Sequence, residues 1–189
     1  LALAPGAADA LRTHAIRATR LPGAPGILFC TGHFGSWELI SAPTAVLGAE
    51  ISMVVRPLDN ALVDQEIEAR RATNGILVVS KFRKLHEVLA QVRRGRSFGL
   101  VVDQDAGIWA RGTWVRFFGQ LCKVVDMPAI LALRLGAPLI PVAPIRIGRG
   151  PQVVLRMFEP IPAVGSPKDP LALQRMMQRW SDRLEEVVR

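Results

Sequence analysis

The chain has 189 residues, a formal net charge of +8 at pH 7 and a hydrophobic content of 50%. Its 20.6 kDa mass and mean hydropathy of +0.25 fit one domain with a substantial core, spanning residues 1–189. No stretch reaches the roughly 18 consecutive apolar residues of a membrane-spanning helix. The start of the chain lacks the basic-then-apolar order of a secretory signal. We expect residues 1–25 to form a loosely attached lead.

The positive charge comes almost entirely from arginine, since 20 of the 24 basic residues are Arg and 4 are Lys. One interpretation is a biased genome composition with ordinary solvated faces. The other is an acidic partner: anionic lipid headgroups, a phosphorylated substrate or an acidic carrier protein. The arginines are dispersed without an aromatic platform, which argues against nucleic acid. Cys30 and Cys122 form no metal or redox motif, so we expect both to be reduced.

In chain order, short apolar runs alternate with amphipathic or polar segments. The pattern predicts strands and helices at residues 26–31 (strand), 37–47 (helix), 51–55 (strand), 59–71 (helix, with Asp59 at its start), 75–79 (strand), 84–94 (helix), 98–102 (strand) and 128–135 (helix). Pro43 predicts a kink or break in the first helix. This alternation predicts an α/β fold around a mostly parallel mixed sheet flanked by helices.

The C-terminal third has a different pattern. Residues 138–147 and 153–158 are predicted to form an antiparallel hairpin around a Gly-Arg-Gly-Pro turn at 148–151. The last predicted helix is amphipathic and begins with Asp169 as N-cap and Pro170 as its first residue. Its apolar residues keep three-to-four spacing, so we expect one face of this helix to pack on the core.

Two polar clusters directly follow predicted parallel strands, where ligands collect in open α/β sheets. His33 follows the first strand, and Asp103 and Asp105 follow the fourth. A histidine at such a corner can accept a proton at neutral pH. Position alone supports a general base and a hydrogen-bonded corner histidine equally well.

The acid that would orient His33 is left open between two candidates. Glu38 lies five residues on, and a five-residue step on a regular helix rotates by about 140°, so these side chains can meet only if His33 precedes the helix. Asp103 could equally face His33 from another strand. Glu38 could instead act as an acid in a first helical turn.

Other chemistries have weaker support in the sequence. No GxSxG elbow is present, and no glycine-rich nucleotide-binding loop. With three scattered histidines and no CxxC pair, we expect no metal site.

Five blocks then resemble, in order, the lysophospholipid acyltransferase superfamily, in its branch of lipid A biosynthesis lauroyl and myristoyl acyltransferases. TGHFGSWEL resembles the His-x4-Asp/Glu block. The others are VVRPLDNALVD (followed by an Arg pair), VVDQDAG, TWVRFFG and ALRLGAPLIPVAPIR. The sequence departs at Arg116, where relatives usually have proline, and in the LCKVVDMPA stretch that follows.

The resemblance implies a glycerolphosphate-acyltransferase-like fold and an O-acyltransferase without cofactor or metal. A fatty acyl group would pass from an acyl-carrier-protein or coenzyme A thioester to a hydroxyl of a lipid A precursor-like or lysophospholipid acceptor. His33 would be the general base, Glu38 the acid of the motif, and Asp103 an alternative orienting acid. No acyl-enzyme would form, and backbone N–H groups after His33 could bind the oxyanion.

The resemblance also suggests substrate-binding positions. These are Gly35, Trp37, Arg56, Asn60, Arg70, Arg71, Asp105, Phe117, Phe118 and Gly119. Arginines suit phosphate or carboxylate groups, although surface ion pairs explain any single one equally well.

By the same resemblance, the expected location is the cytoplasmic face of the bacterial inner membrane, held peripherally on its anionic surface. We expect the family's N-terminal anchor and C-terminal tail to be absent from this chain, which would make it part of a longer product. Two alternatives stay open: transfer to a different glycolipid or aminolipid, and a membrane-surface lipid-binding module with impaired catalysis.

Overall fold

The computed structural model describes residues 26–35, 37, 51–55, 58–73, 76–80, 85–107, 111–146, 148–149 and 153–189. Over these ranges the strands are β1 (Leu28–Thr31), β2 (Ile51–Val55), β3 (Ile76–Ser80), β4 (Ser97–Val101), β5 (Thr113–Phe117), β6 (Gln120–Val124), β7 (Leu139–Arg146) and β8 (Val153–Met157). The helices are α1 (Ala61–Thr73), α2 (Leu85–Arg93), α3 (Met127–Leu135) and α4 (Pro170–Val188).

Six strands form one mixed sheet in the order β3-β2-β4-β1-β7-β8, and β5 pairs with β6 in a separate two-stranded sheet. The first five strands of the large sheet are parallel, and β8 lies antiparallel on β7. The predicted α/β class, mostly parallel sheet and C-terminal antiparallel pair are therefore confirmed.

The sheet is apolar on both faces because alternate residues of its parallel strands are buried on opposite sides. Leu28 and Cys30 of β1 belong to the larger core cluster, to which α2, α3, α4 and the small sheet contribute. Ile27 and Phe29 belong to a second cluster with apolar residues of β2, β7 and β8. β1 thus lies at the centre of the fold.

Local signals place the helix ends. Asp169 caps α4 by accepting a hydrogen bond from the Leu171 N–H at 2.9 Å, and Pro170 is the first helical residue, as predicted. The predicted start of α1 at Asp59 is wrong. Asn60 is the cap, because its Oδ1 accepts from the N–H groups of Leu62 and Val63.

The antiparallel hairpin of β5 and β6 was not predicted as secondary structure. Phe117 pairs with Gln120, so Phe118 and Gly119 form a two-residue turn, and both have positive φ (+48° and +77°). Such turns usually carry Asn-Gly or Asp-Gly, and Phe-Gly lacks that signal.

Candidate active site

His33 and Asp103 lie together beyond the carboxyl ends of adjacent strands. β1 and β4 pair with Leu28 opposite Phe98 and Thr31 opposite Val101, a constant offset of 70 residues. His33 and Asp103 differ by the same 70 residues. The Val102 N–H still donates to the Thr31 carbonyl beyond the strand pair. The parallel register therefore continues past the strands and brings the two side chains level.

One carboxylate binds His33 twice. Oδ2 of Asp103 accepts the His33 backbone N–H at 2.7 Å, and Oδ1 lies 2.6 Å from the ring Nδ1. A carboxylate can only accept here, so Nδ1 carries a proton and the lone pair of a neutral ring lies on Nε2. The histidine side chain is 36% exposed and that of Asp103 is 25% exposed. This arrangement produces an oriented imidazole that substrate can reach.

Gly32 makes room for this contact, and the sequence analysis had not singled it out. A Cβ on Gly32 would lie 3.1 Å from both Cβ and Cγ of Asp103 and 3.0 Å from the Phe34 ring. These distances are tighter than ordinary van der Waals contact. A side chain at this position would push Asp103 away from His33; a glycine directly before a strand-end histidine was the available signal.

The loop after His33 turns over β7. Gly35 has φ +56°, and its ideal Cβ would lie 3.0 Å from the Pro144 carbonyl oxygen, so glycine suits both the conformation and the space. Trp37 packs edge-on against the His33 ring, with centroids 5.2 Å apart. The structure thus brings Gly35 and Trp37 to the site. The rest of the predicted 37–47 helix, which includes Glu38, lies outside the described residues. Arg56 also lies outside them.

Asp105 belongs to the same loop as Asp103 but has a different contact. Its Oδ1 accepts the Gly107 N–H at 3.0 Å, and its backbone forms an antiparallel bridge with Val124. The Ala106 N–H also donates to the Lys123 carbonyl. The base of the β5–β6 hairpin is therefore joined to the loop that carries Asp103.

The remaining predicted binding residues lie further from His33. Asn60 caps α1 after β2, and β4 separates β2 from β1. Arg70 and Arg71 lie in the last turn of α1, which leads to the amino end of β3. His33 lies at the carboxyl ends of the strands, so these arginines lie towards the opposite end of the sheet. Arg70 pairs with Glu66 at 2.8 Å on the exposed face of α1.

Phe117, Phe118 and Gly119 lie at the hairpin tip, about 13 Å along β5 from Thr113. The two phenyl rings pack edge-on with centroids 4.8 Å apart. The Phe118 N–H donates to Oε1 of Glu185 at 2.6 Å, which ties the tip to the last turns of α4. The structure therefore ties the hairpin tip to α4.

Among the described residues, neither the Cys30 thiol nor a metal site supplies a competing chemistry beside the pair. Burial, and then the charge of Asp103, raise the pKa of the Cys30 thiol well above its ordinary value, so it stays protonated. Within the described residues, no group of three His, Cys, Asp or Glu side chains could hold a metal ion. In the same ranges, no helix combines the length and apolarity needed to cross a bilayer.

The chain is thus an α/β protein with a parallel sheet and a histidine–carboxylate pair at the carboxyl ends of its strands, an arrangement that can support general-base chemistry. The family model for bacterial lipid A biosynthesis acyltransferases matches residues 11–189, and the chain belongs to this family. Membership implies an acyltransferase that uses an acyl donor and a lipid acceptor. The comparison with individual curated proteins gives no match.

Proposed function

We propose that this protein transfers a fatty acyl group from a thioester of acyl carrier protein or coenzyme A to a hydroxyl group of a lipid A precursor-like or lysophospholipid acceptor. The proposal places it peripherally on the cytoplasmic face of the bacterial inner membrane and requires no cofactor or metal. The observation that carries it is the double contact between Asp103 and His33. This contact leaves one ring nitrogen as a positioned base.

In the proposed reaction, Nε2 of His33 accepts the proton of the acceptor hydroxyl as its oxygen attacks the thioester carbonyl. Collapse of the tetrahedral intermediate forms the ester and breaks the carbon–sulfur bond. The departing sulfur then takes the proton from Nε2, which returns His33 to its starting state. Asp103 keeps the proton on Nδ1 and stabilises the transient imidazolium.

The Asp103 contact supports Asp103, of the two candidate acids, as the group that orients the proposed base. Both Asp103 oxygens bind His33, and His33 lies in a bend after β1 rather than on a helix. We therefore assign the orienting role to Asp103. Trp37 and Gly35 are the described predicted binding residues nearest to the base, so we propose that they contact the acceptor or the thioester. Arg56 is retained as a candidate phosphate ligand.

The test is acyl transfer by His33→Ala, with His86→Ala as a matched control that removes another histidine. Each variant is incubated with acyl carrier protein or coenzyme A thioesters and with lipid A precursor or lysophospholipid acceptors, and products are identified by mass spectrometry. We expect a loss of about 10³-fold or more in kcat for His33→Ala and near-normal transfer for His86→Ala. Full transfer by His33→Ala would refute the mechanism. No transfer by the unmodified chain with any donor–acceptor pair would refute the function.

A further inference from the structure

The outward side of the β5–β6 hairpin carries exposed apolar side chains. The register pairs Trp114 with Lys123 and Arg116 with Leu121, so strand alternation places these four residues on one side, here called the outer hairpin face. Val115, on the opposite side, is buried in the core. Trp114 is 54% exposed and Leu121 is 60% exposed. Both sides of the hairpin therefore carry apolar groups: one side packs on the core and the other is exposed.

The hairpin is held rigidly in this position. Gln178 of α4 accepts the Arg116 N–H at 2.7 Å and donates to the Arg116 carbonyl at 2.9 Å. A proline at 116 could not donate the first of these bonds. Glu185 accepts the Phe118 N–H. Phe118 is the non-glycine residue with positive φ in the described part of the chain, a conformation that disfavours bulky side chains. The fold thus maintains a 42%-exposed aromatic ring at the tip despite strain.

The charge of the hairpin suits an anionic partner. Residues 113–124 contain two cations, Arg116 and Lys123, and neither aspartate nor glutamate. The Lys123 ammonium donates to the Gly107 carbonyl at 2.9 Å. The Arg116 guanidinium donates to the Gly119 carbonyl at 3.3 Å and meets no carboxylate in the described ranges, so it is the cation on which the charge argument rests. The Arg189 guanidinium lies over the Phe118 ring, 5.7 Å from its centroid, and pairs with Glu185 at 3.4 Å. Aromatic and aliphatic groups beside arginines are typical of the headgroup level of an anionic bilayer.

The exposed area favours lipid over a protein partner. The exposed parts of Trp114 and Leu121, together with Phe118 at the tip, present on the order of 300 Å² of apolar surface. A stable protein interface takes roughly 800 Å² from each partner. A bilayer needs no such area from one element, because a few inserted side chains and nearby cations act together with the rest of the membrane-facing surface.

We propose that the outer hairpin face docks on an anionic lipid bilayer. This inference deepens the proposed function and rests on it for the membrane as the place of reaction. The hairpin base joins the Asp103 loop through the Asp105–Val124 bridge and the bond from the Ala106 N–H to the Lys123 carbonyl. Docking through this face therefore holds the edge of the sheet that carries His33 near the lipid surface.

The experiment measures flotation of the full chain with vesicles of phosphatidylcholine containing a quarter phosphatidylglycerol, and with phosphatidylcholine alone. The apolar test is the double variant Trp114→Ser/Leu121→Ser, matched by Leu171→Ser/Val164→Ser, whose wild-type side chains are 64% and 70% exposed. The charge test is Arg116→Gln, matched by Arg134→Gln on α3. Circular dichroism and thermal melting establish that each variant is folded. If the double variant does not fold, Arg116→Gln and its matched control Arg134→Gln decide.

We expect preferential binding to anionic vesicles, at least about tenfold weaker in the apolar test variant and about fivefold weaker in Arg116→Gln. Trp114→Phe and both matched controls should bind like the unmodified chain. Four results would overturn the proposal: absence of binding to anionic vesicles, undiminished binding of the test variants, equal losses in test and control variants, or a dimer through this face that accounts for its exposed side chains.

Vesicle binding requires no turnover, so the two proposals fail separately. A chain that binds through the outer hairpin face but transfers no acyl group refutes only the proposed function. A chain that transfers acyl groups while every hairpin variant binds normally refutes only the docking surface.

Discussion

The substitution Asp103→Asn tests whether the carboxylate sets the proton position on His33. Asparagine keeps the shape of aspartate but has one acceptor oxygen where the carboxylate has two. That oxygen can keep the 2.7 Å bond from the His33 N–H. The amide NH₂ then faces Nδ1, which must become the acceptor, and the proton moves to Nε2. The ring would keep its place but lose the Nε2 lone pair that the proposed mechanism requires.

The expected loss is therefore large in kcat and small in stability. A reversed tautomer at a hydroxyl-activating histidine lowers kcat by about 10³- to 10⁴-fold, or about 4–5.5 kcal/mol of transition-state stabilisation. A charge-assisted hydrogen bond contributes about 1.5–3 kcal/mol to folding, and the exposure of this pair reduces that to about 1 kcal/mol. The melting temperature should fall by only about 2–4 °C.

The assay is steady-state acyl transfer, with thermal melting of the same samples. Asp182→Asn, on the exposed side of α4, is the control for loss of a carboxylate. In the double variant His33→Ala/Asp103→Asn, the second substitution should add almost nothing to the loss from the first, because Asp103 acts through His33. Activity within tenfold of normal in Asp103→Asn, or a double variant far below His33→Ala, would refute the reasoning.

Three further predictions concern Gly32 and the two cysteines. Gly32→Ala places a Cβ 3.1 Å from Asp103 and should lower kcat about tenfold to a hundredfold while the chain stays folded. Acyl-transfer assays measure kcat, and circular dichroism checks the fold. An unchanged kcat would mean that Asp103 can shift without consequence. At pH 8.5 a thiol reagent should label Cys122 in the folded chain at least about a hundredfold faster than Cys30, whose pKa is raised by burial; equal rates would contradict this. Because the folded thiol keeps a proton that the unfolded thiol loses above about pH 8.5, the Cys30 contribution to stability should decline as pH rises past that value.

The elements predicted best are those specified by local chemistry. Residues 51–55 form β2 as predicted, since a continuous apolar run suits a strand buried on both faces. The N-cap of α4 also follows from Asp169 and Pro170 alone. The hairpin escaped prediction because Phe118 adopts a left-handed conformation through tertiary contacts with α4, and no local signal encodes those contacts.

The candidate site was predictable in its parts but not in its assembly. Apolar runs that end in polar residues identified His33 and Asp103 as strand-end groups. Their contact depends on β4 lying beside β1, although four described elements (β2, α1, β3 and α2) separate these strands along the chain. Sequence periodicity does not encode strand order, so the sequence alone leaves Glu38 and Asp103 as equal candidates for the acid that orients His33. Arg70 and Arg71 of α1 were predicted as binding residues from a motif match, which does not tell whether they lie at the carboxyl or the amino ends of the strands.

The geometry of the base is thus a property of the sheet as much as of two side chains. The 70-residue offset that pairs β1 with β4 also pairs His33 with Asp103, so backbone hydrogen bonds in the core position the carboxylate. The loop that continues from Asp103 is bonded to the base of the outer hairpin face through Asp105 and Ala106. One short segment therefore connects the strand that orients the base with the element proposed to meet the lipid. If both proposals hold, these bonds would keep His33 close to an acceptor that remains in the bilayer.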